Sequence, residues 1–476
     1  MILEKPEGFG IPSERMLKLV QEMEAQIEDL HSIAVVCDND VVLLKCKEPY
    51  TEENRQMMHS FAKSINSMAV GIAIHEGKLR LEDKVVDYFR DCLPETCDKR
   101  IEELTVRNLL TMAASSCRNS TYFKGVTDSW IRFYFSLELP HDPGTAFQYD
   151  TGASYILSSL VTRTMGKTAL ELLQERVFTP MGIEAVDWLS SPEGNTVGGW
   201  GLYLSTPEIA KIGILLANLG KWNGESLVPE EYLREAGSKQ IQTPEETDCP
   251  YGYGYQFWMG AEKSFCVFGA FGQCVIINPQ KRIAVAVTAG ASDARGNPNR
   301  LVSAISNEEL LIPTVREALP DNPEAFRRLK DYLDGMCLPC AEGEKASDQE
   351  GKLFSHRVTL AENDRNLDAL AFSRVNADTI KIVFEMQGRT IEAFAGYKRW
   401  VSAELVFDDE LHHSHSFSYA FTSPDTLEIK QYLLNTSAYD RYTITFGHGS
   451  VRGAVTTSVK LGGSEPTELA GTIKEV

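Results

Sequence analysis

No stretch of this 476-residue chain approaches the run of roughly 18–20 consecutive apolar residues that a membrane-spanning helix needs. Basic charge is also in short supply. Lys and Arg number 47 against 67 Asp and Glu, a net charge of −20, which argues against binding nucleic acid or an anionic membrane by bulk electrostatics. The start, Met1-Ile2-Leu3-Glu4-Lys5-Pro6-Glu7, lacks the basic segment and apolar run of a secretory leader, and a cytoplasmic protein is expected. The 10 cysteines are scattered, as suits a reducing compartment. The close pair Cys337-Leu338-Pro339-Cys340 follows a predicted helix and precedes a polar stretch, whereas a redox motif lies between a strand and a helix. There is no phosphate-binding loop, no dinucleotide fingerprint, no repeat and no low-complexity tract. His412, His413 and His415 have a poor spacing for metal ligation, so no metal and no cofactor is expected.

What is present is a serine and a lysine three residues apart, Ser60-Phe61-Ala62-Lys63. On a helix this spacing puts both on one face. The lysine amine then comes within reach of the serine hydroxyl, which needs an adjacent base to become a useful nucleophile. Burial and neighbouring charge lower a lysine pKa far enough for that task. The residues that follow, Ile65, Met68, Ala69, Val70, Ile72, Ala73 and Ile74, are apolar, and Gly77 is a helix stop. The pair is therefore expected to open a buried helix, with Ser60 at its positive end.

Elsewhere the pattern predicts a helix over 12–30, a hairpin from His31–Val36 and Val41–Lys45, and helices over 106–112, 153–165 and 206–219. Strands are expected at Gly254–Met259, Phe265–Phe268, Cys274–Ile277 and Ile283–Val287, with Asn278-Pro279-Gln280-Lys281 turning between the last two. Residues 307–335 are read as helical. One hairpin near the start and several strands near residue 290 predict a single sheet built from both ends of a domain and covered by helices. The polar stretch 341–352 predicts a linker with few contacts. Beyond it the strand-like runs Thr379–Phe384, Val401–Phe407, Leu427–Gln431 and Tyr442–Phe446 predict an all-β unit, a small barrel or sandwich. The expected organisation is a first domain over 1–335, a linker over 336–352 and a β domain over 353–476.

Three motifs stand in order: Ser60-x-x-Lys63, then Tyr149-Asp150-Thr151, then Gly269-Ala270-Phe271-Gly272-Gln273. With Leu104–Thr111, Trp200–Pro207 and Tyr251–Tyr255 they resemble the serine β-lactamase and penicillin-binding-protein superfamily. The resemblance covers roughly residues 10 to 315 and points to the class C branch, which also holds carboxylesterases, D-amino-acid peptidases and nylon-oligomer hydrolases. It implies an α+β fold, an antiparallel sheet with helices, and a lipocalin-like second domain is familiar there.

The same resemblance implies acyl transfer to serine. Ser60 would be the nucleophile, Lys63 its base, and Tyr149 a second proton-transfer group whose pKa is lowered by cations such as Lys63. Thr151 stands where the family has asparagine or serine, and is expected to reach Lys63 or the substrate amide. The oxyanion donors would be the backbone N–H groups of Ser60 and Ala270, with Gly269 before the latter. The family's polar pair before that glycine is here Val267-Phe268, so an anchor for a substrate carboxylate is missing. His59, beside the serine, is a weaker proton-donor candidate. The leading expectation is a serine hydrolase of small esters, amides or short peptides. The alternatives are a catalytically weak or inactive member of the fold that binds a ligand or partner, and a β-lactamase or D-amino-acid peptidase. The natural substrate, the oligomeric state and the role of the β domain are not legible in the residues.

Overall fold

In the computed structural model of the chain, the residues described are 1–114, 123, 125–126, 128–245, 249–261, 263–291, 317–354, 356–407, 413–460 and 465–475. A central strand of the main sheet, β1 (Leu30–Cys37), is buried at every position. Alternate side chains therefore enter two different cores. Ile33 and Val35 face one helical layer, formed by α1 (Ser13–Gln26) and a late helix, Pro323–Gly335. Ala34 and Val36 face the other, formed by α2 (Ala62–His75), α3 (Thr151–Met165) and α4 (Thr206–Ala217).

The sheet is antiparallel throughout. Its order is the short strand Ile2–Leu3, β2 (Asp40–Cys46), β1, then Ile283–Ala289, Gln273–Asn278, Phe265–Gly269 and the edge pair Trp258–Met259. Both ends of the domain thus meet in its middle, at the pairing of β1 with Ile283–Ala289. Helix α4 lies close on this sheet at Gly213, where an added Cβ would stand 3.2 Å from the Ala284 Cβ.

The helix stops are as the sequence predicts: α2 ends at Gly77 (φ 68°) and α3 at Gly166 (φ 68°), both left-handed. Two elements differ. The strand expected over Gly254–Met259 is reduced to Trp258–Met259, because the preceding backbone folds against the turn after helix Glu230–Ala236. A Cβ on Gly254 would lie 1.9 Å from the Ala236 carbonyl, and Gln256 takes φ 67°. The helix expected over 307–335 is described only as Pro323–Gly335, started by the Asn322 side chain. Residues 307–316 lie outside the described residues.

The C-terminal unit is a closed barrel. Nine strands run in the order Arg389–Gly396, Thr379–Met386, Leu367–Asn376, His356–Leu360, Thr467–Glu475, Ser450–Thr457, Tyr439–Gly447, Thr426–Leu433 and Ser414–Ser423. Gly396 pairs with Ser418 to close the ring, and Val401–Glu404 adds an outer strand. Period-2 burial, as in Tyr439–Gly447, sends aromatic side chains inward. Phe372, Phe384, Phe417, Tyr419, Phe421, Tyr442 and Phe446 fill the interior. His415 also points into this interior, with Nδ1 3.0 Å from the Gln431 amide nitrogen; His412 lies outside the described residues.

The stretch expected as a linker, 336–352, is tied down on both sides. Leu338 donates its N–H to Glu48 in the first domain, at 2.8 Å, and accepts from the Trp400 indole of the barrel, at 3.1 Å. Glu344 bridges to Phe421. Tyr50, Leu338, Trp400, Tyr432 and Leu434 form a shared apolar cluster at the junction. Apolar side chains spaced among polar ones are invisible to a composition reading, and they are what anchors this strap.

Candidate active site

Ser60 lies in a 3-10 turn, His59–Phe61, that runs directly into α2. One turn later Lys63 comes back over it, with Nζ 2.9 Å from Ser60 Oγ. The lysine is 1% exposed, whereas Ser60 is only half-buried. The amine also donates to the carbonyl of Gly199, at 2.9 Å. Burial disfavours the ammonium form and brings Lys63 down to about 7, against the opposing pull of the Asp150 charge. A neutral amine here keeps N–H groups for Gly199 and a lone pair for the Ser60 proton.

Tyr149 stands on the other side of the serine, just before α3. Its ring lies under the lysine, 5.0 Å from Nζ to the centroid, and stacks on Trp258 at 5.6 Å. Burial holds its phenol above the ordinary value, and the hydrogen bond with Ser60 only partly offsets this. This corrects the expectation that nearby cations lower it. Lys63 is itself desolvated and close to neutral, so it supplies little positive charge. Of the two, the lysine is the group that titrates near neutrality.

Asp150 caps α3, its Oδ1 accepting from Gly152 N–H at 2.8 Å. Its carboxyl is buried, and burial raises it to about 7, moderated by the helix amides, by Tyr134 and by Lys63. Lys63 and Asp150 thus form a buried pair that titrates near pH 7. Thr151 begins α3 and turns its methyl toward Gly199, where an added Cβ would stand 2.4 Å from it. Gly199, which Thr151 packs against, is the residue whose carbonyl accepts from the lysine amine.

The third motif reaches the serine through a glycine. At Gly269 a Cβ would lie 2.0 Å from the Met58 carbonyl, so only glycine lets the strand end approach the Ser60 turn. Ala270 follows, and then Phe271 with φ 64°. His59, beside the serine, has φ 49°. The two rings meet edge-on at 5.2 Å. Such left-handed backbone at non-glycine residues persists where the surroundings enforce it. His59 is pushed down to about 4 by burial and by Lys63, so its imidazole is neutral at pH 7. Val267 is fully buried in the core toward α2, and Phe268 lies on the opposite face of the sheet. Neither presents a polar group.

The structure therefore brings Ser60, Lys63, Tyr149, Gly269 and Ala270 together around one half-buried hydroxyl, with Thr151 behind the lysine. Sequence reasoning missed the Gly199 carbonyl and the buried Asp150 carboxyl. The first had a signal in the Val197-Gly198-Gly199-Trp200 run, where paired glycines mark a close backbone approach. The second had one in an aspartate placed immediately before a helix.

Known proteins resemble this chain in sequence and in fold. A D-aminopeptidase of Brucella anthropi is 26% identical over 191 residues, 35% of this chain and 36% of the relative, so the match spans little more than a third of that protein. A penicillin-binding protein homologue from Caulobacter crescentus superposes with a TM-score of 0.51 at 16% identity, over 62% of this chain and 98% of its own. The protein named SurE superposes with a TM-score of 0.50 at 15% identity, over 87% of this chain and 97% of its own, which carries the likeness of fold into the barrel. The family model described as Beta-lactamase matches residues 21–302, more than half of the chain, and the protein belongs to that family.

Proposed function

We propose that the protein is a serine hydrolase that forms a covalent acyl-enzyme on Ser60 and cleaves small esters, amides or short peptides. The observation that carries this reading is the Lys63 amine, 2.9 Å from Ser60 Oγ and shifted by burial to a pKa of about 7. Ser60 Oγ attacks the substrate carbonyl carbon while its proton passes to Lys63 Nζ. The carbonyl oxygen becomes an oxyanion facing the N–H groups of Ser60 and Ala270. Collapse of the tetrahedral intermediate breaks the bond to the leaving group, which takes the Tyr149 hydroxyl proton. The Lys63 ammonium then returns its proton to Tyr149. Water attacks the acyl-enzyme by the same steps in reverse and releases the acid. The apolar Val267 and Phe268 favour substrates without a carboxylate beside the scissile bond. An amide of a short peptide is the substrate class closest to that of the D-aminopeptidase relative.

Labelling with a fluorophosphonate, followed by mass mapping of the adduct, tests the reading. The expected result is one adduct on Ser60, and loss of both label and nitrophenyl acetate turnover in Ser60→Ala. Turnover by Ser60→Ala equal to that of the parent removes Ser60 as nucleophile.

A further inference from the structure

A turn of the barrel is bonded to two segments of the first domain that lead into the site. The turn between Thr426–Leu433 and Tyr439–Gly447 carries Asn435 and Ser437. Asn435 accepts the Met57 N–H through its carbonyl, at 2.9 Å, and donates its side-chain amide to the Arg55 carbonyl, at 3.0 Å. Its side-chain oxygen accepts the Ser414 N–H, at 3.0 Å, which fixes it within the barrel. The short strand Gln56–Met57 is thereby held three residues before Ser60.

Ser437 makes the second tie. Its hydroxyl accepts from the Gln273 amide at 3.0 Å. The same amide nitrogen donates to Ala289 O at 2.7 Å and stands 3.4 Å from Ala270 O and 3.5 Å from Phe271 O. Gln273 is fully buried, and all of these partners accept, which fixes the amide orientation. The approach is close: a Cβ on Gly290 would stand 2.4 Å from the Ser437 carbonyl. A third contact locks the turn from the side. Tyr432 donates to Asp29 Oδ1 at 2.5 Å, Asp29 Oδ2 lies 3.3 Å from His31 Nε2, and His31 stacks on Tyr50 at 4.1 Å.

We propose that Asn435, Ser437 and Gln273 are positioning residues for the acyl-transfer step, and that the barrel turn sets the separation between the Ser60 turn and the Ala270 turn. The proposal rests on the hydrolase reading above. One tie holds the segment that ends in Ser60. The other holds the Gln273 side chain, whose two N–H groups go to Ala289 O and Ser437 Oγ, at the end of the turn that carries Ala270 and the left-handed Phe271, φ 64°. Two N–H donors stabilise an oxyanion only when both are held at its position, and a displacement of about 1 Å costs on the order of a hundredfold in rate.

The test uses the full chain with Ser437→Ala, with Asn435→Ala, which removes the side-chain bonds to Arg55 and Ser414 that fix the turn, and with the double variant. The exposed barrel variant Arg452→Ala serves as control. Nitrophenyl acetate kinetics, fluorophosphonate inactivation rate and thermal unfolding are measured for each. The expected result is a kcat lowered about ten- to a hundredfold in the double variant, with KM and the pH midpoint of kcat unchanged and phosphonate inactivation slowed in parallel. Arg452→Ala should match the parent. Folded variants with kcat within twofold of the parent overturn the proposal, as does a loss confined to KM. If the double variant does not fold, Gln273→Met, which keeps the length and removes the donor, decides by the same criteria. A parent chain with no turnover and no label on Ser60 overturns the hydrolase reading instead, so the two failures are distinguishable.

Discussion

Acylation should gain rate as the pH rises through about 7, and Asp150→Asn should move that rise to lower pH. The magnitude follows from Lys63, which burial takes from 10.5 to about 7. A fall of about 3.5 pH units means the buried ammonium is disfavoured by roughly 5 kcal/mol relative to water. An ordinary lysine is neutral in about one molecule per thousand at pH 7.4, whereas one at about 7 is neutral in roughly 70%. The shift thus raises the available base close to a thousandfold. The sign is fixed by the role. The neutral amine takes the Ser60 proton, so the rate is low below the pKa, about a tenth of its plateau at pH 6, and level above about pH 8. Asp150 is the charge that raises the lysine, so removing it lowers the midpoint. Asparagine keeps the side-chain oxygen that caps α3, so this variant separates charge from structure. The assay is single-turnover acylation by a nitrophenyl ester from pH 5 to 9, with circular dichroism at each pH. A rate independent of pH between 5.5 and 8.5, or a midpoint that rises in Asp150→Asn, refutes the assignment of Lys63 as base.

β-Lactams should be turned over about ten- to a hundredfold less efficiently than simple esters, because a charged contact worth roughly 1.5–3 kcal/mol is absent at Val267-Phe268. A carboxylate-dependent, efficient hydrolysis of cefalotin contradicts this. Gly269→Ala should abolish acylation while the barrel stays folded, since its methyl would overlap the Met58 carbonyl at 2.0 Å; a crystal structure or the phosphonate label reads the outcome. Deleting residues 353–476 should yield an aggregating first domain rather than a minimal esterase, because Tyr50, 3% exposed in the full chain, and Leu338, 2% exposed, lose their cover. A monomeric, active truncation on size-exclusion chromatography counts against this.

Local rules were sufficient for much of the molecule. The three-residue spacing of Ser60 and Lys63 puts them together on any helix, and the glycines at 77 and 166 end helices because only they enter the left-handed region freely. Strand-like runs marked three of the nine barrel strands, Thr379–Met386, Thr426–Leu433 and Tyr439–Gly447, and the outer strand Val401–Glu404, and the turn at Asn278–Lys281 joined the strands it was expected to join. The edge segment Gly254–Phe257 was misread because its apolar run says nothing of the Ala236 carbonyl that blocks an extended path.

What the residues alone did not decide was the electrostatics of the site. Lys63 reaches neutrality because elements distant in the chain exclude water from it, and the Gly199 carbonyl it bonds to lies 136 residues away. The same exclusion raises Tyr149, against the expectation drawn from its lysine neighbour. The strap over 336–352 and the barrel turn at Asn435 and Ser437 were equally hidden. Spacing along a helix or strand is a property of the local backbone and can be read from sequence. Desolvation, and the hydrogen bonds of a turn wedged between two segments nearly four hundred residues earlier and one hundred and sixty-four residues earlier, exist only once the chain has closed on itself.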